Sequence, residues 1–161
     1  MRPVIALILP LLIVTLLAGC TLPSTPTSAM PEVERGRYLV QISGCNDCHT
    51  EGFMDQAGNV PEQEWLKGSR RGWTNEQGTT YAANLRLLID RIDENQWITL
   101  ARNMRTKAPM AWYRLREIND DDLRAIYHYV RRLGPAGAPV PPALPPGVTP
   151  PEPYIYFPVI H

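Results

Sequence analysis

Three residues carry the chemistry of this chain: Cys45, Cys48 and His49, in the string Cys45-Asn46-Asp47-Cys48-His49. Two thiols separated by two residues, with an imidazole directly after the second, form the C-x-x-C-H pattern of c-type haem attachment. The chemistry accounts for each position. The thiols add to the two vinyl groups of haem, the two-residue gap spans the distance between those groups, and the adjacent imidazole lies under the iron as proximal ligand. Other uses of paired cysteines fit less well. A redox-active C-x-x-C belongs to a fold of alternating strands and helices, and no strand-rich pattern is evident. A disulfide across two residues is strained and has no need of the histidine. A zinc site takes two further Cys or His at close spacing, and only His128 and His161 remain, both far along the chain. The expected cofactor is one covalent haem c with its iron.

The second axial position decides between electron transfer and open-site chemistry. A His/Met pair raises the iron potential and suits one-electron transfer, whereas a vacant position suits gas binding or catalysis. The chain has five Met. Met1 falls in the N-terminal leader and Met30 in the stretch after it. Met54 follows His49 by only five residues, too near to reach the opposite haem face. Met104 shares helical spacing with Trp97, Leu100 and Ala101, so it reads as part of a buried stripe. Met110 lies beyond that stripe, in Lys107-Ala108-Pro109-Met110-Ala111-Trp112, where the proline favours extended backbone before it. It stands 61 residues after His49, chain enough to round the haem edge. Met110 is therefore the expected sixth ligand. His128 is the rival, but one step from Tyr127 it falls off the main apolar face.

The elements that must position these residues are helical. Pro31 suits a first helical position, with Glu32 and Glu34 in the first turn, and Val33, Gly36, Leu39 and Val40 share a face. Gly36 costs a helix about 1 kcal/mol relative to Ala, which points to another helix crossing closely there. Thr50 to Thr80 reads as a long excursion punctuated by glycines, with a helical turn near Glu62 to Lys67 and with Trp65 and Trp73 as apolar lids over haem or core. A second helix starts after Asp93, with Gln96 completing a capping box, and ends before Pro109. The last helix follows Asn119, with Asp120, Asp121 and Asp122 at its positive end, an apolar face of Leu123, Ile126, Tyr127, Val130 and Leu133, Arg131 and Arg132 in the final turn, and Gly134-Pro135 as the stop.

Both ends differ from this body. Met1-Arg2 followed by the apolar Val4 to Ala18 is short for a membrane span and reads as an export signal. Its end, Leu17-Ala18-Gly19-Cys20, resembles the lipobox of bacterial lipoproteins, in which cleavage falls before the Cys and its thiol carries the lipid. Residues 20–31 suit a flexible tether. Of 17 prolines, ten lie between Pro135 and Pro158, so residues 136–161 form a separate Pro-rich extension, expected to run extended around the domain with its aromatic end docked. The charge balance is neutral, 16 Lys+Arg against 16 Asp+Glu, with no basic stripe to suggest nucleic acid.

The strings Arg35-Gly36-Arg37-Tyr38-Leu39-Val40, Cys45-x-x-Cys48-His49-Thr50 and, after Met110, Asp121-Asp122-Leu123-Arg124-Ala125-Ile126-Tyr127 resemble a class I cytochrome c. More closely, the chain resembles the single-haem units in the cytochrome subunits of membrane-bound alcohol and aldehyde dehydrogenases. Gly78-Thr79-Thr80-Tyr81-Ala82-Ala83-Asn84-Leu85 is similar to their Gly-x-x-Tyr-x-x-Asn segment. The likeness covers residues 32–135. It implies an all-α cytochrome c fold, first and last helices crossing near Gly36 and Tyr127, and iron ligation by His49 and Met110. Two features depart from it. Those subunits usually carry several C-x-x-C-H motifs and this chain has one, and their Met is usually followed by Pro where Ala111 stands here.

The expectation is a lipid-anchored electron carrier on the periplasmic side of a bacterial membrane, acting on no small-molecule substrate. Its redox partners would be a dehydrogenase, other cytochromes or a terminal oxidase. A dedicated electron-transfer subunit of a membrane dehydrogenase complex is the second reading, and a haem sensor or peroxidase with an open distal site the third.

Overall fold

The computed structural model describes residues 30–158. The expected leader at 1–19, the lipobox residue Cys20 and nearly all of the tether at 20–31 lie outside the described residues. Helix α1 (Glu32–Ile42) starts after Pro31, places Glu32 and Glu34 in its first turn and buries Gly36 and Val40. Helix α6 (Asp120–Leu133) is capped by Asn119, whose side chain accepts from the Asp122 N–H at 2.9 Å. The three aspartates of its first turn complement the positive end of the helix dipole. Its buried residues include Leu123, Ala125, Ile126, Tyr127, Tyr129 and Val130.

Helices α1 and α6 cross near Gly36 and Tyr127, the direct contacts being made by Ala125 and Tyr129 on either side of Tyr127. A Cβ on Gly36 would meet the Ala125 carbonyl and would lie 2.7 Å from Tyr129 Cβ. Residues four apart form the ridge that enters a neighbour's groove. Ala125 and Tyr129 make that ridge, while Tyr127 faces elsewhere and its hydroxyl donates to the Ile92 carbonyl at 3.2 Å.

Between these two lie α2 (Cys45–His49), a single 3-10 turn at Glu62–Glu64, α3 (Leu85–Arg91), α4 (Glu94–Asn103) and α5 (Trp112–Glu117). The Asp93/Gln96 capping box opens α4. Trp97 and Ala101 are buried, and Trp97 Nε1 donates to the Leu123 carbonyl at 2.9 Å, tying α4 to α6. The stripe ends one turn short of expectation. Met104 is the C-cap residue, with φ −55° and ψ 136°, so its backbone has left the helix and its half-buried side chain stands apart from the core. The short helices α3 and α5 were not expected from the pattern. Asn84 caps α3, and the guanidinium groups of Arg105 and Arg116 lie 4.5 and 5.7 Å from the Trp112 ring at the start of α5.

The fold is mostly helical but not all-α. Strands β1 (Gly72–Asn75) and β2 (Gly78–Tyr81) form an antiparallel hairpin, and β3 (Tyr154–Tyr156) pairs in parallel with β1, giving the order β2-β1-β3. The excursion therefore contains strands that a reading from glycines alone misses. Trp73, Thr74, Thr79, Thr80 and Tyr81 are β-branched or aromatic and pack well on a pleated surface. From Gly134 to Pro158 the chain runs without helix across the hairpin. Leu144 and Thr79 exchange backbone hydrogen bonds at 3.0 Å each, and the Phe157 ring meets the Trp73 ring edge-on at 6.2 Å. The core beneath joins Val40, Leu66, Ile89, Trp97, Ala101, Leu123, Ile126 and Val130.

Candidate haem-attachment site

Helix α2 is a single turn made of the C-x-x-C-H motif itself. It is entered through Gly44 at φ +69°, a left-handed conformation that glycine adopts without steric cost. One turn places both thiols and the imidazole within a few residues of rise. Cys45 and Cys48 are free thiols, each half-buried. Burial pushes the Cys45 thiol up to about 11, and burial with the nearby Asp47 carboxylate raises Cys48 as well.

The ring of His49 is fixed from behind. Its Nδ1 lies 2.7 Å from the Ala83 carbonyl oxygen. A carbonyl only accepts, so Nδ1 carries the proton and Nε2 keeps its lone pair free for a metal. Burial lowers the His49 pKa, opposed by the Ala83 bond, so the ring is held neutral, the form in which imidazole binds metal. The His49 carbonyl accepts from Gly68 N–H at 2.8 Å.

The motif is also bolted down at its other residues. Thr50 Oγ1 donates to Asn46 Oδ1 at 2.8 Å and accepts from Leu66 N–H at 2.8 Å. Leu66, fully buried with φ +61°, in turn receives hydrogen bonds at its carbonyl from Leu85 N–H at 2.9 Å and Arg86 N–H at 3.3 Å. Ala83 is a residue at this site that motif reasoning missed, as are Gly44, Leu66 and Gly68. A backbone carbonyl leaves no side-chain signature, and the only sequence signal was the Gly78-to-Asn84 string that delivers it.

The remaining sequence candidates are placed as follows. Met110 is half-buried, directly before Ala111, the N-cap residue of α5, in the connection from α4. Met104 lies with Gln96, Thr99 and Leu100 along a shallow depression on the flank of α4. Met54 is exposed. His128 sits on the outer side of α6, with Nε2 2.9 Å from a Glu94 carboxylate oxygen and 3.7 Å from one of Glu32. Trp65 is buried, donating to the Val60 carbonyl at 2.8 Å and meeting the Phe53 ring edge-on. Trp73 belongs to the hairpin. Two free thiols and a neutral imidazole with one open nitrogen, all on one helical turn, are the donor set that a covalently bound haem requires.

The cytochrome c family model matches residues 33–134. The gluconate 2-dehydrogenase cytochrome c subunit of Pantoea cypripedii is 32% identical to this chain over 119 residues, a stretch that covers 65% of this chain and 26% of the subunit. The chain thus spans about a quarter of the length of that relative. No solved structure matches.

Proposed function

Because this chain belongs to the cytochrome c family and so carries a covalent haem c for electron transfer, we propose that it is a lipid-anchored monohaem carrier on the periplasmic side of a bacterial membrane. Cys45 and Cys48 form the thioether bonds, and His49 and Met110 are the axial ligands of the iron. The observation that carries this reading is the 2.7 Å contact between His49 Nδ1 and the Ala83 carbonyl, which presents Nε2 as a fixed, neutral ligand. Haem supplies a metal that gains and loses one electron. The protein's part is to hold the imidazole in one orientation and to add a thioether from Met110 that raises the potential. It makes and breaks no substrate bond.

The Pantoea relative is named as a subunit of a gluconate 2-dehydrogenase, which favours a dehydrogenase as electron donor here, with another cytochrome or a terminal oxidase as acceptor. It also favours the second reading, a dedicated subunit of a dehydrogenase complex. Co-purification of an enzyme under mild detergent distinguishes that from a free carrier. Cys20 carries the lipid. Acyl chains on that one residue give stable anchoring, each buried methylene adding about 0.8 kcal/mol, and the tether raises the local concentration at the membrane.

Spectroscopy of two variants tests the ligand assignment. Met110→Leu abolishes the methionine–iron charge-transfer band of the oxidised protein, and Met104→Leu leaves it. A band that survives in Met110→Leu, or rapid carbon monoxide binding by the unaltered protein, would establish the open-site reading instead. Cys20→Ala releases the protein from membranes into the soluble extract.

A further inference from the structure

The C-terminal extension begins where the family match at residue 134 ends, yet it touches both segments that hold His49. Ala83, whose carbonyl accepts from His49 Nδ1, is followed by the buried Asn84. Asn84 Nδ2 donates to the carbonyls of Ala136 at 2.8 Å and Ala138 at 3.3 Å, while its Oδ1 accepts from Leu87 N–H at 3.0 Å. Gly137, between those two carbonyls, has φ +76°, and a Cβ there would lie 3.0 Å from Asn84 Nδ2 and 3.2 Å from Lys67 Cβ. On the other side of the motif, Gly68 donates to the His49 carbonyl. A Cβ on Gly68 would lie 2.6 Å from Val140 Cγ1, so the extension packs directly on that backbone. Arg86 Nε fastens the start of the extension by donating to the Gly134 carbonyl at 2.5 Å.

We propose that residues 136–140 form a brace for the proximal ligand, in which Asn84 is a positioning residue that sets the hydrogen bond between His49 and Ala83 and, through it, the reduction potential. The proposal rests on the reading of His49 as an iron ligand. A hydrogen bond to the non-ligating nitrogen raises the basicity of the ligating one, and a more basic imidazole stabilises the oxidised iron. Loosening the brace weakens that bond and raises the potential.

The test uses the full-length holoprotein. Asn84→Ser keeps a neutral N-cap for α3 but is too short to reach the extension. Gly137→Ala leaves Asn84 intact and drives a methyl group into it from a backbone conformation that alanine disfavours. Phe157→Ala, at the far end of the extension, is the control. The expected result is an upward shift of the midpoint potential in Asn84→Ser and Gly137→Ala, together with displaced hyperfine-shifted ring resonances of His49. Phe157→Ala lowers the melting temperature and moves neither readout. Lower melting in the two brace variants with potential and ring resonances unchanged would overturn the proposal and leave the extension as a stabilising element only. Absence of His49 ring resonances in the parent protein would overturn the ligand assignment beneath it. If Asn84→Ser fails to acquire haem, Gly137→Ala decides by the same two readouts.

Discussion

Gly36 and Ala125 meet with no room for a side chain between them. A methyl group on Gly36 would occupy the space of the Ala125 carbonyl and press on Tyr129 Cβ at 2.7 Å. Gly36→Ala gains about 1 kcal/mol of helix propensity. Overpacking costs about 1–3 kcal/mol, and here the obstacle is backbone, which cannot rotate away. The expected net loss is about 2 kcal/mol, read from chemical denaturation of the holoprotein. An unchanged or raised denaturation midpoint would show that α1 and α6 separate without cost.

The same crossing carries a pH-sensitive pair. Arg35 on α1 donates to the Asp122 carboxylate on α6, and Asn119 Nδ2 donates to it at 2.9 Å. Arg35 holds the Asp122 carboxyl below its ordinary value of 3.8, with burial opposing. The unfolded chain therefore takes up that proton first as pH falls. The stabilisation is fully present above the ordinary carboxylate range and is lost as pH drops through the depressed folded value. Half the Arg35 side chain is exposed, so solvent screening keeps the effect modest. Denaturation midpoints at pH 7 and pH 3 should converge for Asp122→Asn relative to the parent. An equal acid loss in both proteins would assign the acid sensitivity to other groups.

Thr50 joins the motif to the core through two buried partners. Thr50→Val keeps the shape and leaves the Leu66 N–H and Asn46 Oδ1 without their hydrogen bonds. Each orphaned buried group costs about 1–3 kcal/mol, so the variant should lose about 3 kcal/mol in total, measured by thermal or denaturant unfolding. Thr50→Ser, which retains the hydroxyl, should recover most of that loss. Equal stability of the two variants would count against the hydroxyl and for the methyl packing.

What could be read from the residues was whatever acts over a few positions. The C-x-x-C-H motif is local chemistry, and Asp93 and Asn119 cap helices through partners three residues on. Asn84 caps by the same bond, to Leu87, and Leu85, Leu88, Ile89 and Ile92 follow at helical spacing, a legible signal that the reading passed over. The hairpin was hidden because each strand is four residues long and its third neighbour comes from Tyr154–Tyr156, far along the chain. Met104 continued the spacing of α4 in the sequence, yet the helix ends at Asn103 and Met104 is its C-cap. Ala83 had no signature of its own, since its contribution is an oxygen that every residue possesses.

The pairing of α1 with α6 has a consequence for how the molecule is made. Arg35 and Asp122 stand 87 residues apart, so the first helix meets the last only after nearly all of the family-matched stretch is available. Closure of the two terminal helices comes late, because long-range contacts form only after the intervening chain has been closed into a loop.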